Sequence, residues 1–248
     1  MEFSERVLVL QVGRFREADL WVRFLSPTQG VLSAFAFGGS RSRRRFVGCL
    51  DTFNEVLFRV KGSNRGAYLA LEEGTLIRGV KRLRHDWRRF GIAQNCAKFL
   101  LAFGVNREGA GQAHFLFIEL LQLLEEAPEL PALLPLLFRA RLAFDQGYGL
   151  NLDVCSGCGR YSFGQGGHLS VSLGQIFCHD CFGGRVPDRL SLSPGSFHVL
   201  ATVKEVGPVA WADLAMEPAT ARECAKAIDG FIQYHVGLAW ENGRFVRH

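Results

Sequence analysis

Long apolar runs are what this 248-residue chain most plainly lacks. The longest, residues 130–138, is far shorter than the roughly 20 residues a helix needs to cross a bilayer, so no membrane association is expected. A secretory leader is missing as well. Met1-Glu2-Phe3-Ser4-Glu5-Arg6 places acids where such a signal carries its basic region, and no cleavage pattern follows. The expectation is a soluble protein of the cytoplasm. Catalytic signatures are absent too: there is no Gly-x-Ser-x-Gly elbow, no His-Glu-x-x-His pair, no clustered carboxylate motif and no phosphate loop ending in Lys-Ser/Thr. No catalytic residue is nominated, and the chain is read as non-enzymatic. Internal repeats and low-complexity tracts are also missing. Hydrophobic residues at 48% and charged residues at 21% exclude a disordered tail protein.

What is present is uneven. Residues 1–89 hold 17 Lys+Arg against 9 Asp+Glu, whereas residues 90–248 hold 12 against 15. This asymmetry points to a polyanion-binding front part joined to a mildly acidic remainder, with a solvated basic face as the plainer alternative. The front part also has strand periodicity. Residues 6–12 and 20–25 are short and β-branched or aromatic. In residues 31–37, Val31, Ser33, Phe35 and Phe37 alternate with Leu32, Ala34 and Ala36. Val56, Phe58 and Val60 share one face, and residues 66–77 supply a fifth run, with turns at 27–30 and 62–66. Five short strands within 79 residues predict a small closed barrel, because closure removes exposed edges. The oligonucleotide/oligosaccharide-binding (OB) type fits best, and an SH3-like barrel is second.

The period then becomes helical. Trp87, Phe90, Ala93, Ala97, Leu100 and Leu101 form one stripe after Asp86. Further helices are predicted over 112–127 and 130–148. Ser193-Pro194 is a helix start, with Ser as cap and Pro in the first turn. A last helix over 219–239 places Ala227, Ile228, Phe231, Ile232 and His235 together. The expected fold class is therefore α+β and multi-domain, divided as a barrel over 1–79, a helical domain over 80–150 and 190–248, and a cysteine insertion over 151–189.

That insertion holds Cys155-x-x-Cys158 and Cys178-x-x-Cys181, 19 residues apart, within the spacing of a four-cysteine zinc site. A two-residue gap lets two thiolates converge on one face of a tetrahedral ion, and Gly157, Gly159, Gly183 and Gly184 supply permissive backbone. Structural disulfides would need an oxidising compartment, and a redox dithiol needs only one pair. One structural Zn²⁺ is expected, with four thiolates leaving no open position for water. Residues 169–173 alternate as a short hairpin strand. His168 and His179 read as surface residues, and Cys49, Cys96 and Cys224 as small buried hydrophobes.

The densest basic segment is Gly38-Gly39-Ser40-Arg41-Ser42-Arg43-Arg44-Arg45-Phe46. Arg41, Arg43, Arg44 and Arg45 have no acid nearer in sequence than Asp51, and an extended, mobile loop is expected. The planar guanidinium fork suits phosphate. Arg14, Arg16, Arg23, Arg59, Lys61 and Arg65 extend the candidate surface. Single strands also need stacking platforms, for which Phe15 and Phe46 are the candidates, whereas Trp21, Phe24, Phe35, Phe37, Phe58 and Tyr68 read as core. A second basic stretch (Arg78, Lys81, Arg82, Arg84, Arg88, Arg89) opens the helical part as a solvated face, a continued nucleic-acid track or the rim of an acidic partner's pocket.

Several of these segments resemble, in this order, the bacterial RecO (recombination protein O) family of DNA-repair proteins. They are Arg14-Phe15-Arg16-Glu17-Ala18-Asp19, Thr28-Gln29-Gly30-Val31-Leu32-Ser33, the basic loop, Leu50-Asp51-Thr52-Phe53 and Val56-Leu57-Phe58. The four-cysteine insertion with Gly174-Gln175-Ile176-Phe177 and the closing Tyr234-His235-Val236-Gly237-Leu238 complete the series. Some members carry more lysine where this loop carries arginine, and some lack the cysteines, which agrees with a structural role. The resemblance implies an N-terminal OB barrel, a helical C-terminal region and an inserted zinc finger, at work on nucleoid DNA. It further implies a mediator of the RecF pathway that binds single- and double-stranded DNA and anneals complementary strands. The implied partners are RecR, RecF and the acidic C-terminal tail of single-strand-binding protein, with a functional link to RecA loading. An RNA-binding protein or a protein adaptor built on an OB barrel and zinc finger is the alternative.

Overall fold

A computed structural model describes residues 2–63, 66–160, 164–181 and 188–248. The chain is α+β and separates into two compact units, residues 1–90 with 104–121, and residues 91–103 with 122–248.

The first unit is built on five strands: β1 (Glu2–Arg14), β2 (Leu20–Ser26), β3 (Gly30–Ala36), β4 (Glu55–Gly62) and β5 (Leu69–Arg78). They close as a barrel in the order β1-β2-β3-β5-β4. Closure depends on the length of β1. Its first half pairs antiparallel with β4 (Val7 opposite Val56), its second half with β2 (Val12 opposite Val22), and a bulge between Val9 and Gln11 bends it from one partner to the other. The remaining seam is parallel, with Ala34 opposite Leu69 and Phe35 opposite Ala70. The interior is filled by Val7, Val9, Val22, Phe24, Val56, Phe58 and Val60, alternate residues of their strands, so the period-two pattern reports the pleat.

On β3 the pattern runs against the sequence expectation. Ala34 and Ala36 point into the barrel, and Phe35 and Phe37 do not. The reason is volume: Phe24 and Phe58 already meet edge to face inside, 5.8 Å between ring centres, and Phe46 from the basic segment joins the same core at 4% exposure. Phe46 is therefore a plug, not the stacking platform expected of it. The helical stripe after Asp86 is corrected likewise. A short helix α1 (Arg82–His85) precedes α2 (Trp87–Phe103). Ala93, Ala97 and Leu100 are buried as expected, whereas Trp87 is 87% exposed and Phe90 also faces outward.

The second unit contains most of α2, the end of α3 (Ala110–Glu126), and α4 (Leu134–Asp145). Helix α4 starts later than 130 because Leu133 adopts a left-handed conformation at its N-terminus. Strands β6 (Gly167–Ser170), β7 (Gln175–Phe177) and β8 (Arg189–Leu192) form a sheet in the order β7-β6-β8. Of the expected strand over 169–173, only Leu169 and Ser170 lie in β6. The rest is the turn into β7, closed by the Gly174 amide donating to the Val171 carbonyl at 3.2 Å. Helix α5 (Pro194–Glu205) begins where Ser193-Pro194 predicts, with Ser193 Oγ accepting the Ser196 amide at 3.3 Å. Helix α6 (Pro218–Phe231) buries Ala227, Ile228 and Phe231 and passes into a π turn over Ile232–Val236. It does not run to 239, because Gly237 turns left-handed and stops it. The chain then forms a hairpin, β9 (Leu238–Glu241) against β10 (Arg244–Arg247). Among the described residues no helix is long and apolar enough to cross a membrane.

Candidate nucleic-acid interface and metal centre

The basic segment is folded, contrary to the extended, mobile loop expected. It turns through a 3-10 element, Gly39–Arg41. The Gly38 amide donates to Asp19 Oδ1 at 2.8 Å, and Ser40 donates through its amide and hydroxyl to the Ala18 carbonyl. Its far end is tied to β5 by the Gly74 amide, which donates to the Arg45 carbonyl at 2.8 Å. Glycine and serine supply backbone donors and small volume here, so the segment lies against the barrel.

This anchoring divides the four arginines. Arg41 meets Glu17 at 2.9 Å, both strongly exposed, an acid that sequence distance conceals. Arg45 donates to the carbonyls of Phe37 (2.5 Å) and Glu72 (3.4 Å) and lies 5.1 Å over the Phe46 ring. Arg43 and Arg44 are exposed and, among the described residues, belong to no ion pair. They are the guanidiniums most available to an anion. Of the other candidates, Arg14, Arg16 and Arg23 are exposed. Arg16 lies 5.2 Å over Phe15, and Arg23 lies 5.9 Å from Trp21. Arg59 is held by Glu2 at 2.8 Å, a pair that draws the Glu2 carboxyl below its ordinary value. Lys61 is exposed at the end of β4, and Arg65 lies outside the described residues. In the second basic stretch Arg84 pairs with Asp51 and bonds Asn54, and Arg89 is buried against Asp86 at 3.0 Å. Arg89 is thereby withdrawn from solvent, whereas Arg84 stays partly exposed.

In the second unit the four expected cysteines converge, their Sγ atoms all within 4.8 Å of one another. Cys155 and Cys178 are buried, whereas Cys158 and Cys181 are partly exposed. The Ser156 amide donates to the Ile176 carbonyl at 2.8 Å, which ties the first turn to β7 just ahead of the second pair. The amides of Gly157 (3.4 Å) and Cys178 (3.3 Å) point at Cys155 Sγ, the donation a thiolate requires. Residue 157 must be small: a Cβ there would lie 2.7 Å from the Cys181 Cβ. A hydrogen bond from Arg160 lowers Cys158 to about 6, whereas sharing with Cys158 and Cys178 pushes Cys181 up to about 12. Four soft donors at this separation fit a tetrahedral metal ion, which replaces the remaining protons when it binds. Gly183 and Gly184 lie outside the described residues. No histidine joins the cluster among the described residues. His168 is buried rather than on the surface, bonded to His179 at 3.0 Å and close to Ser191 at 3.3 Å. Cys49, Cys96 and Cys224 are buried as expected, and burial raises the pKa of each.

Sequence comparisons agree along the whole chain. The family model described as Recombination protein O N terminal matches residues 1–80, and that described as Recombination protein O C terminal matches residues 84–244. The chain is 49% identical over 251 residues to DNA repair protein RecO of Nitratidesulfovibrio vulgaris, covering all of both proteins. It is 48% identical over 247 residues to DNA repair protein RecO of Oleidesulfovibrio alaskensis, again over the full length of both. Against DNA repair protein RecO of Lawsonia intracellularis the identity is 37% over 250 residues.

Proposed function

The chain belongs to the recombination protein O family, and from that premise we propose that it is a non-enzymatic mediator of DNA repair and recombination. The barrel is of the OB type and binds single- and double-stranded DNA, with Arg43 and Arg44 contacting phosphates first and Arg14, Arg16, Arg23, Arg41 and Lys61 extending the track. The observation that carries this reading is the pair of exposed guanidiniums that, among the described residues, have no ion-pair partner, presented by a segment hydrogen-bonded to the barrel wall. A basic surface that neutralises two strands at once lowers their mutual repulsion, which is the physical route to annealing.

Cys155, Cys158, Cys178 and Cys181 would hold one Zn²⁺, whose chemistry there is to crosslink two turns of a small sheet. In this reading the helical part of the sequence spans residues 80–150 and 190–248, with the zinc finger inserted over 151–189. In this reading the protein acts in the cytoplasm on nucleoid DNA, with RecR, RecF and the acidic tail of single-strand-binding protein as partners in RecA loading. The test is annealing of complementary oligonucleotides, free and coated with single-strand-binding protein. Acceleration of both reactions is expected, and annealing no faster than the spontaneous rate in both would refute the proposal.

A further inference from the structure

We propose that the outer face of β2 and β3, with the residues that follow β1 and β3 and precede β5, is a stacking platform for the unpaired bases of single-stranded DNA, formed by Phe15, Trp21, Phe35, Phe37 and Tyr68. This deepens the preceding reading and rests on it. A shift of β3 by one residue would bury Phe35 and would leave the alanines outside, yet the observed register places the large rings outward. Across the face, Gly13 pairs with Trp21, Trp21 with Phe35, and Phe35 with Ala70, so small residues flank two aromatics. Glycine at 13 is required, because a Cβ there would lie 2.3 Å from the indole, which covers β1.

Four of the rings form one connected group, and Trp21 lies beside it as the strand partner of Phe35. Phe15 lies 4.7 Å from Phe35, Phe37 is stacked at 23° and 5.9 Å from Phe35, and Tyr68 meets both edge-on at 5.8 Å. Phe15, Phe37 and Tyr68 are 48%, 37% and 44% exposed. A recess of about 530 Å³ opens beside Phe37 and Tyr68, with Lys61 on its wall.

Guanidiniums border the same group: Arg16 over Phe15, Arg23 beside Trp21, and Arg45 bonded to the Phe37 carbonyl. Alternation of π faces and cations is what a single strand can use, bases on the rings and phosphates on the cations. A duplex buries its base faces in its own stack and offers this surface only phosphates. The arginines therefore serve both forms of DNA, and the rings discriminate between them.

The experiment compares a thymidine oligonucleotide, an abasic chain of equal length and a duplex, each with the wild type and with Phe37→Leu/Tyr68→Leu. The wild type should bind the oligonucleotide about tenfold or more tighter than the abasic chain, the scale of one base stacked on one ring. The double variant should lose about tenfold or more for the oligonucleotide, with duplex affinity and the salt dependence unchanged. Equal wild-type affinity for the oligonucleotide and the abasic chain would overturn the platform even if the variant failed to fold. A folded variant with undiminished oligonucleotide affinity would overturn it too. Failure of the DNA-binding reading itself looks different, since the wild type would then bind none of the three.

Discussion

Removal of the arginines at 43 and 44 should change how binding responds to salt, by an amount the loop geometry fixes. Arg41 is engaged by Glu17, and Arg45 by two carbonyl oxygens, so of the segment's four guanidiniums Arg43 and Arg44 are the two that, among the described residues, give up no ion pair or carbonyl to meet phosphates. Each phosphate contact on a single strand contributes about 0.7 to the slope of log K against log[salt], so Arg43→Ala/Arg44→Ala should flatten that slope by about 1.4. Over a fourfold rise in salt, from about 50 to 200 mM, the wild type should lose about sevenfold more affinity than the double variant. Fluorescence anisotropy of a labelled oligonucleotide at four or more salt concentrations measures this. Arg45→Ala is the control with a different signature. It unties the loop from Phe37 and Glu72 and should lower the melting temperature before it alters the slope. Equal slopes for wild type and double variant would remove Arg43 and Arg44 from the phosphate contacts and refute their distinction from Arg41 and Arg45.

The metal centre and a half-buried histidine yield two more tests. Metal analysis should find one zinc per chain, and Cys178→Ser should lose it together with the native signal of the β7-β6-β8 sheet, because the free energy of the site is folding free energy. A folded, metal-free wild type with reduced thiols would contradict this. Burial holds His114 below its ordinary 6.5 against the pull of Glu55 and Glu5, and its Nε2 is buried with no hydrogen-bond partner among the described residues. The unfolded chain thus takes up the proton first, and stability falls as pH drops below about 6.5, a loss that His114→Gln should remove. Melting temperatures from pH 7.5 to 5.5 that fall equally in both proteins would sink that argument.

Sequence periodicity carried the strands because a barrel wall imposes its pleat on every residue, and Val56, Phe58 and Val60 have no second way to be buried. The cysteine cluster was equally legible, since two Cys-x-x-Cys turns bring their thiols together whatever lies between. The last helix expected over 219–239 stops at Val236, and Gly237 and the Asn242-Gly243 pair at the tip of the β9–β10 hairpin are visible signals of a stop and a tight turn. Other features had no local signal. Nothing near Arg41 in sequence announces Glu17, and nothing in Phe46 itself reveals that it plugs the barrel while Phe15 stays exposed. Both depend on which distant segments fold together.

The aromatic face follows from the same competition for space. A five-stranded barrel has a small interior, and Phe24, Phe46 and Phe58 occupy it, so β3 must give it alanines. Packing explains why Phe35 and Phe37 cannot be inside, but it does not require phenylalanine outside, where a polar side chain would serve solubility better. An exposed group of rings bordered by the guanidiniums of Arg16, Arg23 and Arg45 is costly to keep in water and is of use to a ligand with both flat apolar faces and negative charge. Single-stranded DNA is such a ligand. On the proposed function, the β3 register and the Arg43–Arg44 segment belong to one surface logic, in which the loop would contribute affinity for the phosphates of any DNA and the strand preference for bases that have lost their partners.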